Sequence, residues 1–461
     1  MNRSSLDYLG HWLAKPRRKP LVLRGARQVG KSTLVRLFAE RASLNLVEIN
    51  LELHRDLDDV FARLDLPRII LNLESIAGKQ IATNSLLFLD EVQATPNALA
   101  ALRYFYEQKP ELPVIAAGSL LEFALADHSF SMPVGRIEYL HLGPMTFCEY
   151  LEAVAPAALG PLNSLDPFQP FPLKAHQRLL QHQREFMLVG GMPEAIDAYR
   201  TTESFDEVTS IQNSICNTYM DDFSKYARQK DLGQLQTLFR TIPRVIGNKV
   251  KYSNLLPDAR SAHIKATLRL LSMARIFTTV TRSDCSGLPL AAGANPKFTK
   301  LIFLDVGLVT RLLGTEWLDL EQLQERQLVN EGPLAEQFIG QHLHWDSQTP
   351  PELHYWAREA KKSNAELDYV VARGSLIVPI EVKAGKSGSL KSLHLFMQQK
   401  GLTQALRFDL QPPSVQQVET SISTESGTMP VSYRLFSLPL YAVDCLPRLL
   451  DGIRQEMADG I

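Results

Sequence analysis

The chain is poor in cysteine, and the little it has is scattered. Cys148, Cys216, Cys285 and Cys445 stand more than 60 residues apart, which excludes a CxxC metal pair and a dense disulfide framework and fits a reducing compartment. No stretch approaches the roughly 18 apolar residues a membrane-spanning helix needs. Met1-Asn2-Arg3-Ser4-Ser5-Leu6 does not lead into the apolar run of a signal peptide. Charge of one sign is also lacking: 49 Lys and Arg against 50 Asp and Glu leave a net −1. A uniformly basic nucleic-acid coat is excluded, and only a local basic face has room. The eleven histidines show no H-x-x-x-H or His/Cys metal spacing, no nucleophile triad assembles, and no internal repeat is visible. What remains is 45% hydrophobic and 21% charged residues over 461 positions. That is ordinary globular composition at about three times the usual domain length, so a cytoplasmic protein of two to four domains is expected.

Residues 20 to about 155 alternate short apolar runs with helical patterns. The runs are Leu21-Val22-Leu23, Leu46-Val47-Glu48-Ile49, Leu86-Leu87-Phe88-Leu89 and Val114-Ile115-Ala116-Ala117. Parallel strands covered by helices on both faces read this way, so an α/β fold with a parallel sheet is expected. Five prolines between Pro156 and Pro172 predict a linker or irregular loop. A mainly helical pattern follows to about 316. Beyond about 325, a helix precedes a strand-rich block, an amphipathic helix near 389–400 and a last strand at Ala405–Leu410. The Ser/Thr-rich stretch 414–428 reads as a loop.

Gly25-Ala26-Arg27-Gln28-Val29-Gly30-Lys31-Ser32 fits G-x-x-x-x-G-K-[ST], after an apolar strand and before the helical pattern Leu34, Val35, Leu37, Phe38. In such a loop the glycines let backbone N–H groups turn in on phosphates, and the helix N-terminus adds its dipole. Residues 25–33, through Thr33, are the expected nucleotide-binding set. Lys31 would neutralise the β- and γ-phosphates, and Ser32 would ligate Mg²⁺. Leu86–Leu89 ends in Asp90-Glu91: Asp90 is expected to hold the metal through water and Glu91 to polarise the attacking water. Ser119 follows the next strand and either senses the γ-phosphate or caps the helix beginning near Leu120. Arg136 is either a trans-acting arginine finger, which implies a homo-oligomer, or half of a structural salt bridge.

The sequence resembles the AAA-type ATPases common in bacteria and archaea that carry a C-terminal domain of unknown function. The resemblance begins at Gly25–Leu34 and runs through Leu89-Asp90-Glu91-Val92-Gln93, Gly118-Ser119, Gly135-Arg136, Leu142–Tyr150 and Val189–Glu194. It continues through Tyr252–Leu255 and Phe303–Leu308 to Glu381-Val382-Lys383. It implies an AAA+ core with a helical lid, a winged-helix-like segment and a C-terminal domain similar to the PD-(D/E)xK nuclease fold. The expected boundaries are 1–155 for the core, 156–238 for linker and lid, 239–318 for the winged-helix-like segment and 325–461 for the nuclease-like domain. Ala26 and Ser32 stand where proline and threonine are usual in the group.

In the last of these, two strand-like runs, Glu366–Arg373 and Leu376–Lys383, flank Gly374-Ser375. Gly at the first loop position favours a two-residue hairpin. In that register Asp368 faces Glu381 and Glu366 faces Lys383. Opposed carboxylates lie close enough to share one Mg²⁺, with Lys383 as the catalytic ammonium and Glu336 on a preceding helix completing the metal set. Alternatively, Glu366 and Lys383 form only a cross-strand ion pair. Between Tyr355 and Thr403, eight Lys and Arg against four acids make a candidate phosphate-facing patch. Arg260, His263, Lys265 and Arg269 decorate a helix over 262–272, as a helix-turn-helix reader requires. DNA or RNA is therefore an expected partner beside ATP, unless the C-terminal domain is an inert interaction module on an ATP-dependent switch.

Overall fold

The computed structural model describes residues 1–126, 133, 135–257, 259–314, 331–345, 351–360, 363–383, 389–424 and 427–459. Among these, five parallel strands form the first sheet: β1 (Leu21–Arg24), β2 (Asn45–Asn50), β3 (Ser85–Asp90), β4 (Val114–Gly118) and β5 (Glu138–His141), in the order β2-β3-β4-β1-β5. Strand alternation sends Leu21, Leu23, Leu86 and Phe88 into one core and Val22, Leu87 and Leu89 into another. This two-sided burial is why the strands are unbroken apolar runs. Each buried Leu contributes about 2 kcal/mol by transfer from water. The strand order has a functional result. Because β4 lies between β1 and β3, the carboxyl ends of all three meet at one edge of the sheet.

The second sheet has eight strands among the described residues: β6 (Phe277–Ser283), β7 (Ala294–Phe303), β8 (Leu353–Ala360), β9 (Ser363–Arg373), β10 (Leu376–Val382), β11 (Gln404–Asp409), β12 (Ser414–Thr424) and β13 (Gly427–Pro439). Their order is β12-β13-β11-β10-β9-β8-β6-β7. The β9–β10 hairpin has the expected register, with Arg373 opposite Leu376 and Tyr369 opposite Ile380.

Three features depart from the sequence reading. Residues 414–424, expected as loop, form β12, paired along its length with β13. In the outer half of this hairpin Thr420, Ser421, Ser423 and Thr428 are exposed and only Ile422 packs partly against the core, so little apolar alternation betrays a strand. The Pro-rich stretch is no free linker: it includes the helix Leu159–Asn163, buries Leu162 and Leu165, and sets Phe168 edge-on to Phe436. Lastly, β6 and β7, which lie before residue 318, join the C-terminal strands because β6 pairs in parallel with β8. One sheet therefore spans the expected boundary.

Asp305, just after β7, fastens the middle of the chain. Its fully buried carboxylate accepts from the Gly191 N–H at 2.6 Å, the Leu308 N–H at 3.1 Å and the Gln341 side-chain amide at 3.3 Å. Gly190, at φ +76°, is needed there, because a Cβ would strike this carboxylate. Among the described residues no helix is long and apolar enough to cross a membrane.

Candidate active site

The loop after β1 delivers residues 25–33 to the carboxyl edge of the first sheet. Gly25 passes so close to Leu142 that a Cβ would collide with its carbonyl. Gly30, at φ +87°, opens the helix Lys31–Arg41. Lys31 Nζ donates to the loop's own carbonyls, Ala26 at 2.7 Å and Gly25 at 3.2 Å. Burial lowers its pKa to about 8, against the pull of Glu91 and Asp90. Ala26 is fully buried, whereas Thr33, on the first turn of the helix, is exposed.

Ser32 Oγ donates to Asp90 Oδ2 at 2.6 Å, so the hydroxyl and carboxylate expected to share Mg²⁺ are adjacent. That donor set fits a hard, oxygen-seeking cation. Burial raises the Asp90 pKa, partly offset by the Ser32 hydrogen bond. Glu91 sits at φ +51°, a left-handed conformation costing about 1–2 kcal/mol. Its Oε2 accepts from Gln93 Nε2 at 2.5 Å and from Ser119 Oγ at 3.3 Å. Ser119 is buried at the end of β4, where its hydroxyl serves the carboxylate. Lys31, Ser32, Asp90, Glu91 and Ser119 thus converge.

Arg136 does not join them. It precedes β5, whose first residue Glu138 pairs with Leu21 at the start of β1, so it lies at the opposite edge of the sheet from the loop. There its Nε donates to Glu107 at 3.0 Å, and its guanidinium lies over Tyr106.

Several supporting residues escape a sequence reading. Arg3 donates to the carbonyls of Val29 and Gly143 and pairs with Glu149, pinning the loop from the N-terminus. On the helix Phe205–Asp222, Tyr219 donates to the Arg27 carbonyl at 2.7 Å and Asp222 pairs with the Arg27 guanidinium. Glu122, three residues past Ser119, pairs with both Arg24 and Arg275. These contacts are long-range in sequence, and only Gln93, inside the motif Leu89–Gln93, stood where local spacing points to it.

The C-terminal carboxylates also gather, around an unexpected partner. Lys300 of β7, its side chain 4% exposed, places Nζ 2.6 Å from Glu366, 3.3 Å from Glu336 and 3.8 Å from Asp368. Asp368 Oδ2 accepts from the Val382 N–H, and Lys383 pairs with its strand neighbour Glu381 at 2.5 Å. Glu366 pairs with Lys300 and Lys249, not with Lys383; the β9–β10 pairing ends at Tyr369 opposite Ile380, short of both residues. Burial, then the charge of Asp368, pushes Glu336 up to about 8 and Glu381 up to about 7, against the pull of the lysines. Among the described residues no three His, Cys, Asp or Glu side chains are disposed to hold a metal ion. With Lys300 in place, Glu336, Asp368 and Glu381 do not fit one. Lys361, Lys362 and Lys386, part of the basic stretch, lie outside the described residues.

Comparison with known proteins finds three family matches along the chain. Residues 17–151 match the AAA domain family, residues 180–319 a domain of unknown function (DUF8612) and residues 331–423 another (DUF4143). No curated protein matches. Among solved structures, the chain is similar to the Walker-type ATPase PABY2304 of Pyrococcus abyssi: 17% identity over 68% of this chain and 95% of that one, TM-score 0.43. It is also similar to the Aeropyrum pernix ORC2 protein, solved as ADPNP–ADP complexes: 13% identity over 69% and 91%, TM-score 0.34. The phosphate loop, the Asp90–Glu91 pair and the β2-β3-β4-β1-β5 sheet coincide with the matched segment, so residues 17–151 are an AAA-type P-loop ATPase domain, and the protein binds and hydrolyses ATP.

Proposed function

We propose that the protein is a Mg²⁺-dependent ATPase whose hydrolytic cycle governs a nucleic-acid-directed C-terminal half. The observation that carries the ATPase mechanism is the meeting of Ser32 with Asp90 and of Glu91 with Ser119 at one sheet edge. Backbone N–H groups of residues 25–33 cradle the phosphates. Lys31, which bonds to carbonyls of its own loop, exchanges them for phosphate oxygens. Ser32 and Asp90 would hold Mg²⁺, which supplies charge neutralisation at the phosphates. Glu91 orients a water and accepts its proton, while Ser119 and Gln93 keep the carboxylate in position. Glu91→Gln tests this assignment: ATP binding should persist with turnover lost, and equal loss of both would refute it. Arg136 lies away from its own loop and pairs with Glu107, so any part it plays in turnover is in trans, on a neighbouring copy. Arg136→Ala should then lower turnover only under conditions where the protein self-associates.

For the C-terminal half, the reading rests on the helix Ser261–Met273, which buries Ile264, Thr267, Leu268 and Leu271 while Arg260, Lys265 and Arg269 face solvent. That is the arrangement of a winged-helix reader with a basic outer face. Reversing Lys265 and Arg269 to Glu should weaken oligonucleotide binding at least tenfold and reduce its salt dependence, with ATPase activity as the control for folding. Cleavage through Asp368, Glu381 and Lys383 is not part of this reading, because Lys300 already pairs with carboxylates that would hold the metal. Mg²⁺- or Mn²⁺-dependent cleavage lost in Asp368→Ala would restore it.

The position of Lys300 favours a second reading. An ATP-dependent switch with a catalytically inert C-terminal interaction module needs no metal among these carboxylates, and it predicts no cleavage under any nucleotide condition.

A further inference from the structure

We infer that Lys300 is the resident cation of the C-terminal carboxylate cluster, closing it to divalent metal ions and locking the β6–β7 hairpin to the strands that follow. Glu336, Glu366, Asp368 and Glu381 come from the helix Glu331–Trp345, β9 and β10, a set that would ordinarily attract a hard cation. The ammonium of Lys300 lies within 4 Å of three of them. Its stem passes the face of Tyr355, with Nζ 5.3 Å from the ring centroid. Gly247, in the middle segment, packs a left-handed turn onto Glu336 from the other side, leaving 3.2 Å between its would-be Cβ and Glu336 Oε2. A buried ammonium between buried carboxylates is held by mutual attraction in a poorly screened interior. Burial opposes the charge on Lys300, yet Glu336, Asp368 and Glu366 together hold its pKa above the ordinary lysine value.

Two lysines, Lys300 and Lys383, face four carboxylates, with Lys249 at the rim shared between Glu366 and Glu359. Burial, then the charge of Asp368, weakens the acidity of Glu336 and Glu381. Glu381 Oε2 is buried without a hydrogen-bond partner among the described residues. It is the atom a metal ion would claim first if Lys300 withdrew. The lysine comes from the segment that matches one family and the carboxylates from the segment that matches another. Closure of the cluster and attachment of the two segments are therefore one event.

Mn²⁺ titration of the full-length, nucleotide-free protein tests this, read by calorimetry and electron paramagnetic resonance. Wild type and Asp368→Asn should bind Mn²⁺ identically up to millimolar concentration. Lys300→Met should acquire one additional Mn²⁺ site, lost again when Asp368→Asn is added, whereas Lys300→Arg should stay closed. Lys300→Met should also melt on the order of 10 °C lower and recover part of that loss with Mn²⁺. An Asp368-dependent Mn²⁺ site in the wild-type protein overturns the inference, as does a Lys300→Met variant that melts normally and gains no site. Should Lys300→Met fail to fold, wild type against Asp368→Asn still decides.

Discussion

The molecule holds two lysine–carboxylate sites built from similar residues, and they are wired differently. At the first sheet, Lys31 bonds to backbone carbonyls of its own loop while Asp90 and Glu91 rest on hydroxyl and amide donors. Lysine and carboxylates are kept apart, each on a neutral partner it can give up. At the second sheet, Lys300 and Lys383 are spent directly on carboxylates. Neutral partners leave a site ready for a charged ligand, because exchanging a carbonyl for a phosphate oxygen gains a charge-assisted bond. Charged partners leave little to gain, because an arriving ion must first displace an equally strong one. Chemical inventory alone does not distinguish the two sites. The choice of partners does.

That contrast orders the expected effects of mutation. Lys31→Ala removes the ammonium placed for the phosphates and should abolish nucleotide binding or turnover, by a factor of 10³ or more in kcat/KM. Undiminished ATPase activity would erase the distinction between the sites. Glu91→Gln should lower kcat by about 10²–10⁴ while ATP still binds, the range of a lost general base. Lys300→Met should destabilise the fold by about 3–5 kcal/mol, the cost of stranding buried carboxylates, with ATPase activity at 25 °C retained in the folded fraction. Chemical denaturation measures it, and a loss below about 1 kcal/mol would mean that Lys300 is dispensable to its carboxylates.

Two smaller effects concern pH. Lys31 is charged below about 8 and neutral above, so the Kd for ATP should rise as pH passes 8, with proton uptake on binding near that pH; calorimetry in buffers of different ionisation enthalpy reads both. At the other site the sign is reversed. Glu381, its pKa raised to about 7, holds a proton in the folded state that the unfolded chain gives up near pH 4.3. Its contribution is full at low pH and is lost as pH rises through about 7. Glu381→Gln should therefore flatten the fall in melting temperature between pH 5 and 8. A steeper fall would show that the Lys383 pair dominates this carboxylate.

The first site was legible in the sequence and the second only in part, for a physical reason. Residues 25–33 and Asp90-Glu91 are local motifs: a strand, a turn and a helix place each group relative to its neighbours, and the apolar runs give the strand positions. The β9–β10 register followed from Gly374-Ser375 in the same way, as far as Tyr369 opposite Ile380; one position beyond, Asp368 accepts from the Val382 N–H instead. Lys300 was not. It lies 36 residues before Glu336 and 66 before Glu366, and its only local sign is a lysine directly before the buried run Leu301-Ile302-Phe303. The β12–β13 hairpin was missed because pairing, not patterning, makes it a strand. Arg136 was placed by motif, but which edge of the sheet it occupies depends on the parallel pairing of β5 with β1.

The parallel pairing of β6 with β8 carries a consequence for how such a chain is inherited. The sheet and the Lys300 cluster both straddle the junction between segments that match separate families. Recombination at that junction would leave one parent's lysine facing another parent's carboxylates, across strands never selected to pair. Such a hybrid would fail at both the hydrogen-bonded edge and the buried charges, so the two segments should descend as one heritable unit even though each is recognisable alone.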